Sequence, residues 1–305
     1  MKTAFNLAFC TAIPLCLTAL ALTACAEDAR RLVTDQTTGA VSMQVAGKSC
    51  WTYVPQSKEG KPYFHPLAIP GTGDVLTSFR PPDHNWHLGF WFSWKFINGV
   101  NFWEPDTNAA TRVLSQTVTP GEDKSFRTEA TLAYVAKGNE IVREQRIVSV
   151  TTQPNGNYTI EWDSTFTAHD AGAVFDCTPS KKDKNGDWAS GGYAGLMWRF
   201  TDSPTNTYTF TNAAGKTDVK TCGEASGRME VVATAKASGA KAKITFIDHP
   251  ENPRHPTPWF ARHSATAQKG RGYYLVGPSM IFHEPLKLAP NASARFRYTV
   301  TVERL

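Results

Sequence analysis

"NEIVREQRIVSVTTQPNGNYTIEWDSTFTAHD" (residues 139–170) decides the fold class of this chain. In both halves of the segment apolar and polar side chains alternate, which is the period of a half-buried β-strand. The halves are separated by Gln-Pro-Asn-Gly-Asn, and Asn-Gly between alternating runs is a strong hairpin signal. The segment therefore predicts two long antiparallel strands joined by a tight turn.

Similar strand patterns occur on both sides of this hairpin. They include VSMQVAG, SCWTYVP, SFRTEATLAYVAKG, GLMWRFTD, TYTFTNA, RMEVVATAKASGAKAKITFIDH, RGYYLVGPSMIF and ASARFRYTVTVERL. No stretch of a dozen residues keeps the i, i+3, i+4 spacing of an amphipathic helix. Regular strands with Gly and Asn turns are typical of a β-sandwich. We predict an all-β protein in which one large antiparallel β-sandwich domain covers residues 26–305.

The first residues, MKTAFNLAFCTAIPLCLTALALTACAED, have the pattern of a secretory signal. A lysine is followed by an apolar run and then by small residues, which predicts a signal peptide over residues 1–25. The run is short for a transmembrane anchor and contains Pro14. Leu22-Thr23-Ala24-Cys25 also resembles a lipobox, whereas Ala24-Cys25-Ala26 fits cleavage to a soluble form. We expect an exported protein, periplasmic or an outer-membrane lipoprotein, with membrane contact only through such a lipid anchor.

Charge and composition exclude some partners. The chain has 32 Lys and Arg against 27 Asp and Glu, a formal net charge of +5. It has no basic run or zinc knuckle, so we expect no nucleic-acid partner. It also lacks a Gly-rich phosphate loop, a Gly-x-Ser-x-Gly elbow and a His-Glu-x-x-His motif, which disfavours a dinucleotide enzyme, a serine hydrolase and a zincin. We expect no cofactor, although three or more histidines could together hold a divalent metal ion.

Three cysteines belong to the body of the chain. Cys177 and Cys222 lie in loop-like sequence, and in an oxidising compartment they are the pair that we expect to form a disulfide. Cys50 lies between strands and is expected to be a buried free thiol.

The segment PPDHNWHLGFWFSWKFINGVNFWEP (residues 81–105) mixes polar and aromatic side chains in a way that suggests a concave site. Asp83 precedes His84 and can fix its tautomer, and His87 follows three residues later. These histidines are candidates for acid–base chemistry or metal binding, or else they only cap a turn. Trp94 and Lys95 follow before a hairpin tip at Asn98-Gly99.

Two further segments carry candidate site residues. The proline-rich segment FIDHPENPRHPTPWFARH (residues 246–263) is stiffened by its prolines, which suggests either a preorganised site wall or a rigid lid with structural histidines. FHEP places His283 beside Glu284, and adjacent strand residues point to opposite faces. Arginines in apolar surroundings require a carboxylate from the protein or from a substrate. The candidates from these segments and elsewhere are His65, Arg80, Arg199, His249, Arg254, His255, Trp259 and His283.

Taken in order, KPYFHPL, DHNWHLGFWFSW, GGYAGLMWRF, DHPENPRHPTPWF and FHEPLKL resemble the PmoA-like family, a domain of unknown function (the DUF6807 group). The resemblance implies a sandwich like the large ones of mutarotase-like and polysaccharide-lyase domains, in an exported protein associated with carbohydrate degradation. It also implies that His65, Arg80, His84, His87, Arg199, His249, His255 and His283 line one pocket. The chain has HNWHLG where many relatives have a sequence closer to His-Pro-His-His-Arg-Gly, so that arginine is absent here.

These features favour a carbohydrate-active enzyme of polysaccharide degradation. The leading hypothesis is a lyase or dehydratase that eliminates across C4–C5 of a uronic acid residue in an anionic oligosaccharide, because histidines suit both proton transfers. In this scheme His84 or His87 is the base, His283 the acid, Arg199 and Arg80 clamp the carboxylate, and Trp94 and Trp259 support sugar rings. The alternatives are a glycoside hydrolase with two carboxylates and a non-catalytic glycan-binding protein. Every version expects these side chains to share one tryptophan-lined cavity.

Overall fold

The computed structural model describes residues 29–202 and 204–305. The predicted signal peptide and its lipobox lie outside the described residues. Among the residues described, no helix is both long enough and apolar enough to cross a membrane.

Two eight-stranded antiparallel sheets dominate the structure. In spatial order the first sheet consists of β1 (Arg30–Thr34), β2 (Val41–Val45), β3 (Lys48–Val54), β4 (Tyr63–Leu67), β5 (Phe90–Ser93), β15 (Gly195–Arg199), β20 (Tyr273–Pro278) and β19 (Trp259–Ser264). The second consists of β16 (Asn206–Asn212), β17 (Arg228–Ala235), β18 (Lys241–Asp248), β22 (Ser293–Arg304), β11 (Tyr158–Ala168), β10 (Asn139–Thr152), β9 (Phe126–Ala136) and β8 (Ala109–Pro120).

Shorter elements surround the two sheets. A four-stranded sheet contains β21 (Leu286–Leu288), β12 (Ala173–Asp176), β6 (Phe96–Ile97) and β7 (Val100–Asn101), and β13 (Lys181–Lys182) pairs with β14 (Trp188–Ser190). Helical structure is restricted to a 3-10 turn at Asp218–Thr221 and a four-residue turn at Ala267–Gly270. The near absence of helix among the described residues agrees with the sequence pattern.

The predicted hairpin is present as β10 and β11. The two strands pair from Val142 opposite Ala168 to Thr152 opposite Tyr158. Gly156 in the turn has φ +89°, a left-handed conformation that glycine adopts without a steric penalty. The hairpin tip expected at Asn98-Gly99 is also present, between β6 and β7.

The core lies between the two large sheets, which pack face to face. Phe90 of the first sheet contacts Trp162 of the second with ring centroids 5.8 Å apart, and Trp198 contacts Phe246 at the same separation. Such aromatic pairs bury large areas and add about 0.5–1.5 kcal/mol beyond that burial. The prediction of an all-β antiparallel sandwich is confirmed.

One buried charge cluster interrupts this apolar core. The guanidinium of Arg146 donates to both carboxylate oxygens of Glu144, at 2.7 and 2.8 Å, and both side chains are almost fully buried. The hydroxyls of Tyr134 and Ser164 donate to the same carboxylate. Three neighbouring strands are therefore joined inside the sandwich by a network centred on one anion.

The predicted disulfide is wrong, because Cys50, Cys177 and Cys222 are all buried free thiols. The thiol of Cys177 donates to the carbonyl of Ile281 at 3.2 Å. The adjacent Phe282 ring packs against Gly223, the residue after Cys222. Burial raises the pKa of both thiols to about 11, so both stay protonated near neutral pH. For Cys50 the expectation of a free buried thiol is confirmed.

Candidate functional site

The main candidate site is a cavity of about 510 Å³ on the outer face of the first sheet. Alternate residues of β19 and β20 form its floor, since Arg262 lies opposite Leu275 in the register and both line the cavity. The neighbouring residues Ala261 and Val276 point the other way, into the core. Loops cover this floor and supply the walls. The other lining residues are His84, His87, Trp103, Glu104, Ser190, Gly191, Tyr193, Val219, Phe260, His263, Ser264, Ala267, Gln268 and Tyr273.

An aspartate orients one histidine of this cavity. His84 Nδ1 donates to Asp83 Oδ2 at 2.7 Å, and Arg199 Nη2 donates to the same oxygen at 2.9 Å. Burial opposes ionisation of Asp83, but the His84 hydrogen bond and the Arg199 charge outweigh it and lower the pKa of this carboxyl. Because Nδ1 carries the donated proton, a neutral His84 has its lone pair on Nε2. The partly exposed imidazole therefore presents a proton acceptor.

Arg199 stabilises the Asp83–His84 pair from the protein interior. Its side chain is about 1 % exposed and does not line the cavity, and its guanidinium carbon lies 3.9 Å from the centroid of the Tyr273 ring. The predicted role of Arg199 as a substrate clamp is therefore corrected: its carboxylate partner is Asp83 of the protein itself.

The second histidine of the motif is deeply buried. His87 stacks on His84 with ring centroids 4.6 Å apart, and its Nδ1 has no hydrogen-bond partner among the described residues. Burial, together with nearby positive charge on Arg199 and Lys61, lowers the pKa of His87 well below its ordinary value. His87 is thus a neutral ring that lines the cavity beside a more accessible His84.

Aromatic residues form one wall. The ring of Tyr193 packs between Trp103, at 5.2 Å, and Phe260, at 5.7 Å. The Tyr193 hydroxyl donates to Glu104 at 3.3 Å, and the ammonium of Lys95 makes a short ion pair with the same carboxylate. Burial opposes ionisation of Glu104, but its hydrogen bond with Lys95 lowers its pKa. Lys95, predicted to bind substrate, lies behind this wall and holds Glu104.

Lys61 fixes the same wall from the protein side. Its ammonium donates to the backbone carbonyls of Phe102 and Trp103. Burial lowers the pKa of Lys61 to about 8. The position of the Trp103 indole therefore depends on a buried amine that the sequence motifs did not single out.

Arg262 is the cation that faces the cavity. The only side-chain hydrogen bond of Arg262 within residues 29–202 and 204–305 is a long one, 3.3 Å from Nη1 to the carbonyl of Trp188. No carboxylate of the described chain lies within ion-pair distance of Arg262, in contrast to Arg199. Together with Tyr273, it was missed at the sequence level. The alternation in WFARHS puts Phe260, Arg262 and Ser264 on one face, but it does not reveal that this face is a cavity floor.

Two predicted residues lie beside the cavity without lining it. His65 Nδ1 is 2.9 Å from Thr77 Oγ1, and its ring stacks on Phe79. Arg80 donates to Glu59 at 2.7 Å and to the carbonyl of Asn85. Their predicted contact with substrate in this cavity is corrected, because both are held by partners within the protein.

Two tryptophans predicted as sugar platforms belong to the core. Trp94 has no exposed surface, and its ring lies 4.3 Å from that of Phe175. Trp259 is equally buried, and its indole nitrogen donates to the carbonyl of Ser226 at 2.7 Å. The platform role is corrected for both, since a fully buried ring offers no face to a ligand.

The proline-rich segment is organised around a buried aspartate rather than around the cavity. Asp248 accepts hydrogen bonds from Asn252, from the Thr257 backbone and from His255 Nδ1, the last at 2.8 Å. His249 lines a separate cavity on the outer face of the second sheet. The segment is therefore held by hydrogen bonds to Asp248, and His249 and His255 do not line the cavity, whereas His263 at its end does.

His283 and Arg254 line another cavity, apart from both of these. His283 Nε2 donates to the carbonyl of Gly223 at 2.8 Å, and Arg254 donates to the carbonyls of Met280, Glu284 and Pro285. The expectation that all the motif histidines share one cavity is therefore wrong. The structure brings His84, His87 and His263 into one cavity and places His65, His249, His255 and His283 elsewhere. In the part of the chain that the structure describes, no three His, Cys, Asp or Glu side chains form a group that could hold a metal ion.

Fold and cavity together define an all-β sandwich protein with a histidine-bearing, aromatic-walled site on the outer face of one sheet. The chain belongs to a family of unknown function, DUF6807, whose model matches residues 40–304. This confirms the DUF6807 resemblance, whereas the association with carbohydrate-degrading systems stays a prediction. No curated protein matches the chain in sequence.

Two solved structures are similar to this chain at 10% sequence identity. One is the galactosidase domain of the alpha-galactosidase-sucrose kinase AgaSK, with a TM-score of 0.45, covering 90% of this chain and 42% of that one. The other is the alpha-galactosidase from Lactobacillus brevis, also with a TM-score of 0.45, covering 90% of this chain and 40% of that one. The chain thus spans less than half the length of these two proteins.

The two buried histidines predict an acid-sensitive fold. Burial lowers the pKa of His65 to about 4 and lowers that of His87 well below its usual range. The unfolded chain takes up protons on these rings near pH 6.5 and the folded chain does not, so the free energy of unfolding falls as the pH drops from about 6.5 towards 4. We expect His65 to account for about 1–3 kcal/mol of this loss.

Urea unfolding at several pH values measures this fall in the free energy of unfolding. The variant His65→Gln is expected to flatten the pH dependence. Equal slopes for the wild type and His65→Gln would contradict the assignment.

Proposed function

We propose that this protein is a carbohydrate-active enzyme that eliminates across C4–C5 of a uronic acid residue in an oligosaccharide, with His84 as the base. The observation that carries the proposal is the arrangement of His84, oriented by Asp83, in an aromatic-walled cavity. The floor of this cavity presents Arg262, which has no carboxylate partner in the part of the chain that the structure describes. Aromatic side chains suit the apolar faces of sugar rings, and an arginine suits a carboxylate.

Each part of the elimination has a group to perform it. Arg262 neutralises the substrate carboxylate, which acidifies the proton on C5. His84 Nε2 takes that proton, the electrons of the C5–H bond form the C4=C5 double bond, and the C4–O bond breaks. The leaving oxygen takes a proton from the Tyr273 hydroxyl. Proton exchange with water then restores His84 and Tyr273.

Tyr273 suits the acid role for two reasons. Burial raises its pKa to about 12, so the hydroxyl keeps its proton near neutral pH. The Arg199 guanidinium over its ring stabilises the phenolate that forms when the proton leaves. The Tyr273 ring also lies 5.0 Å from the His84 ring, which places acid and base side by side.

The carboxylates favour elimination over hydrolysis. A glycoside hydrolase needs one protonated carboxylic acid beside one carboxylate. Asp83, which contacts His84, and Glu104, which lines the cavity, have cationic or imidazole partners that lower their pKa against the effect of burial. Neither is suited to hold a proton near neutral pH, whereas Tyr273 does so. A binding-only role would need the aromatic wall but not the Asp83–His84 pair.

The proposal includes the cellular setting. We propose that residues 1–25 direct export, so that the protein meets its anionic oligosaccharide in the periplasm or on the outer membrane. The elimination as written requires no cofactor, no nucleic acid and no protein partner.

Product analysis tests the reaction. Elimination creates a double bond conjugated to the carboxylate, which absorbs in the ultraviolet, whereas hydrolysis leaves saturated ends. We expect ultraviolet absorbance to rise when the protein is incubated with uronate-containing oligosaccharides. Saturated products would support a hydrolase instead, and binding without any turnover would support a glycan-binding protein.

Arg262 gives a quantitative prediction. The variant Arg262→Met is expected to lower kcat/KM on an acidic oligosaccharide about 10- to 100-fold, because a charge-assisted hydrogen bond contributes about 1.5–3 kcal/mol. Arg262→Lys keeps the charge and should recover part of the loss. Steady-state kinetics with the three proteins measure this, and an unchanged kcat/KM for Arg262→Met would remove Arg262 from the scheme.

A further inference from the structure

Next to the main cavity at His84, here called the first cavity, lies a second cavity of about 400 Å³. Val219 lines both cavities, and strand β14 contributes Ser190 to the first and Trp188 to the second. With a strand rise of about 3.3 Å per residue, two positions along β14 correspond to about 7 Å, on the order of one sugar residue. A chain of sugars bound in the first cavity can therefore extend over β14 into the second.

Arg262 connects the two cavities. It lines the first and donates through Nη1 to the backbone carbonyl of Trp188, which lines the second. The Trp188 indole is held in place by edge contacts with Phe282, at 5.3 Å, and His283, at 5.9 Å. A fixed and partly exposed indole at this point is a platform for a sugar ring next to the one at His84.

Three lysines line the second cavity, and two of them are paired with carboxylates of the protein. Lys216 pairs with Glu224 at 2.8 Å, and Lys220 pairs with Asp187 at 2.6 Å. Lys182 has no carboxylate partner among the residues that the structure describes, and its ammonium lies 4.8 Å from the centroid of the Trp188 ring. An exposed ammonium beside an indole matches an acidic sugar, which offers both a carboxylate and an apolar ring face.

We propose that the second cavity is a binding subsite for a neighbouring acidic sugar residue of the same oligosaccharide, with Trp188 as its platform and Lys182 as its cation. The inference rests on the proposed function, because it assigns the substrate carboxylate of the first cavity to Arg262. With this subsite the protein binds oligosaccharides more tightly than single sugars.

Calorimetry with galacturonate and its oligomers tests the subsite, using the His84→Gln variant so that turnover does not consume the ligand. The trimer is expected to bind more tightly than the monomer. Adding Lys182→Met should weaken trimer binding about 2- to 5-fold and so reduce this gain, since exposed ion pairs contribute little each. The matched control is Lys181→Met, which changes the adjacent residue of β13, absent from the lining of the cavity.

The outcomes separate the two proposals. If monomer and trimer bind equally, or if Lys182→Met and Lys181→Met have the same effect, the subsite is overturned while the proposed function stands. If neither monomer nor oligomer binds, and the wild type forms no unsaturated product from any uronate oligosaccharide, the proposed function fails together with the subsite.

Discussion

Replacing His84 by glutamine is expected to lower kcat about 10²–10⁴-fold, the range that a positioned general base contributes. The amide group of glutamine can still donate a hydrogen bond to Asp83, so the ion pair between Asp83 and Arg199 remains. It has no basic nitrogen to take the C5 proton. The His84 side chain is 28 % exposed and its ring contacts those of His87 and Tyr273, so folding of the variant is checked separately.

The control for this variant is His169→Gln. His169 is a partly exposed loop histidine that pairs with Glu140, and it does not line the cavity. It is expected to keep the wild-type rate. Initial rates of unsaturated product formation give kcat, and circular dichroism with urea unfolding verifies that both variants fold. A His84→Gln protein with the wild-type kcat would disprove that His84 is the base.

Local patterns in the sequence predicted the features that depend on local chemistry. Strand alternation identified the sheets, and Asn-Gly identified the turns, because both depend on residues close together in the chain. The Asp83–His84 pair and the proximity of His87 were predicted for the same reason, since all three lie in one tight loop.

Contacts between distant segments could not be predicted in this way. Arg199 needed a carboxylate, but the pattern could not show that Asp83, 116 residues earlier, supplies it. In the proline-rich segment His255 looked like a site residue, yet Asp248 binds it within the same loop. Conversely, Arg262 has an unremarkable sequence context and becomes a candidate only because β19 and β20 bring it to the floor of the cavity.

The interior of the sandwich shows the same limit. Strand β10 alternates correctly, but the inward set contains Glu144 and Arg146, whereas Ile147 lies on the other face. The alternation puts Glu144 and Arg146 on the same face as Val148 and Val150, but it does not show how two charged residues are accommodated there. Tertiary contacts stabilise the two charges there, because the carboxylate of Glu144 accepts hydrogen bonds from Arg146, Tyr134 and Ser164.

The variant Glu144→Ala is expected to reduce the free energy of unfolding by about 3–5 kcal/mol, the cost of leaving a buried charge without its partner. Arg146 is about 1 % exposed, and burial disfavours its charged form, while the carboxylate of Glu144 raises its pKa again. Removing that carboxylate leaves the guanidinium between the aromatic rings of Trp162 and Phe92, with no anion. The hydroxyls of Tyr134 and Ser164 lose their acceptor as well.

The neighbouring strand β9 provides a matched control. Arg127 and Glu129 form an ion pair with the same two-residue spacing and a distance of 2.9 Å, but both side chains are about half exposed. Glu129→Ala is therefore expected to cost less than about 1 kcal/mol. The double variant Glu144→Leu/Arg146→Met replaces both charges by apolar groups and should recover most of the loss in Glu144→Ala, because it leaves no unpaired charge. Urea unfolding of the wild type and the three variants measures these differences. Equal losses of unfolding free energy for Glu144→Ala and Glu129→Ala would show that the buried pair contributes no more to stability than the exposed pair.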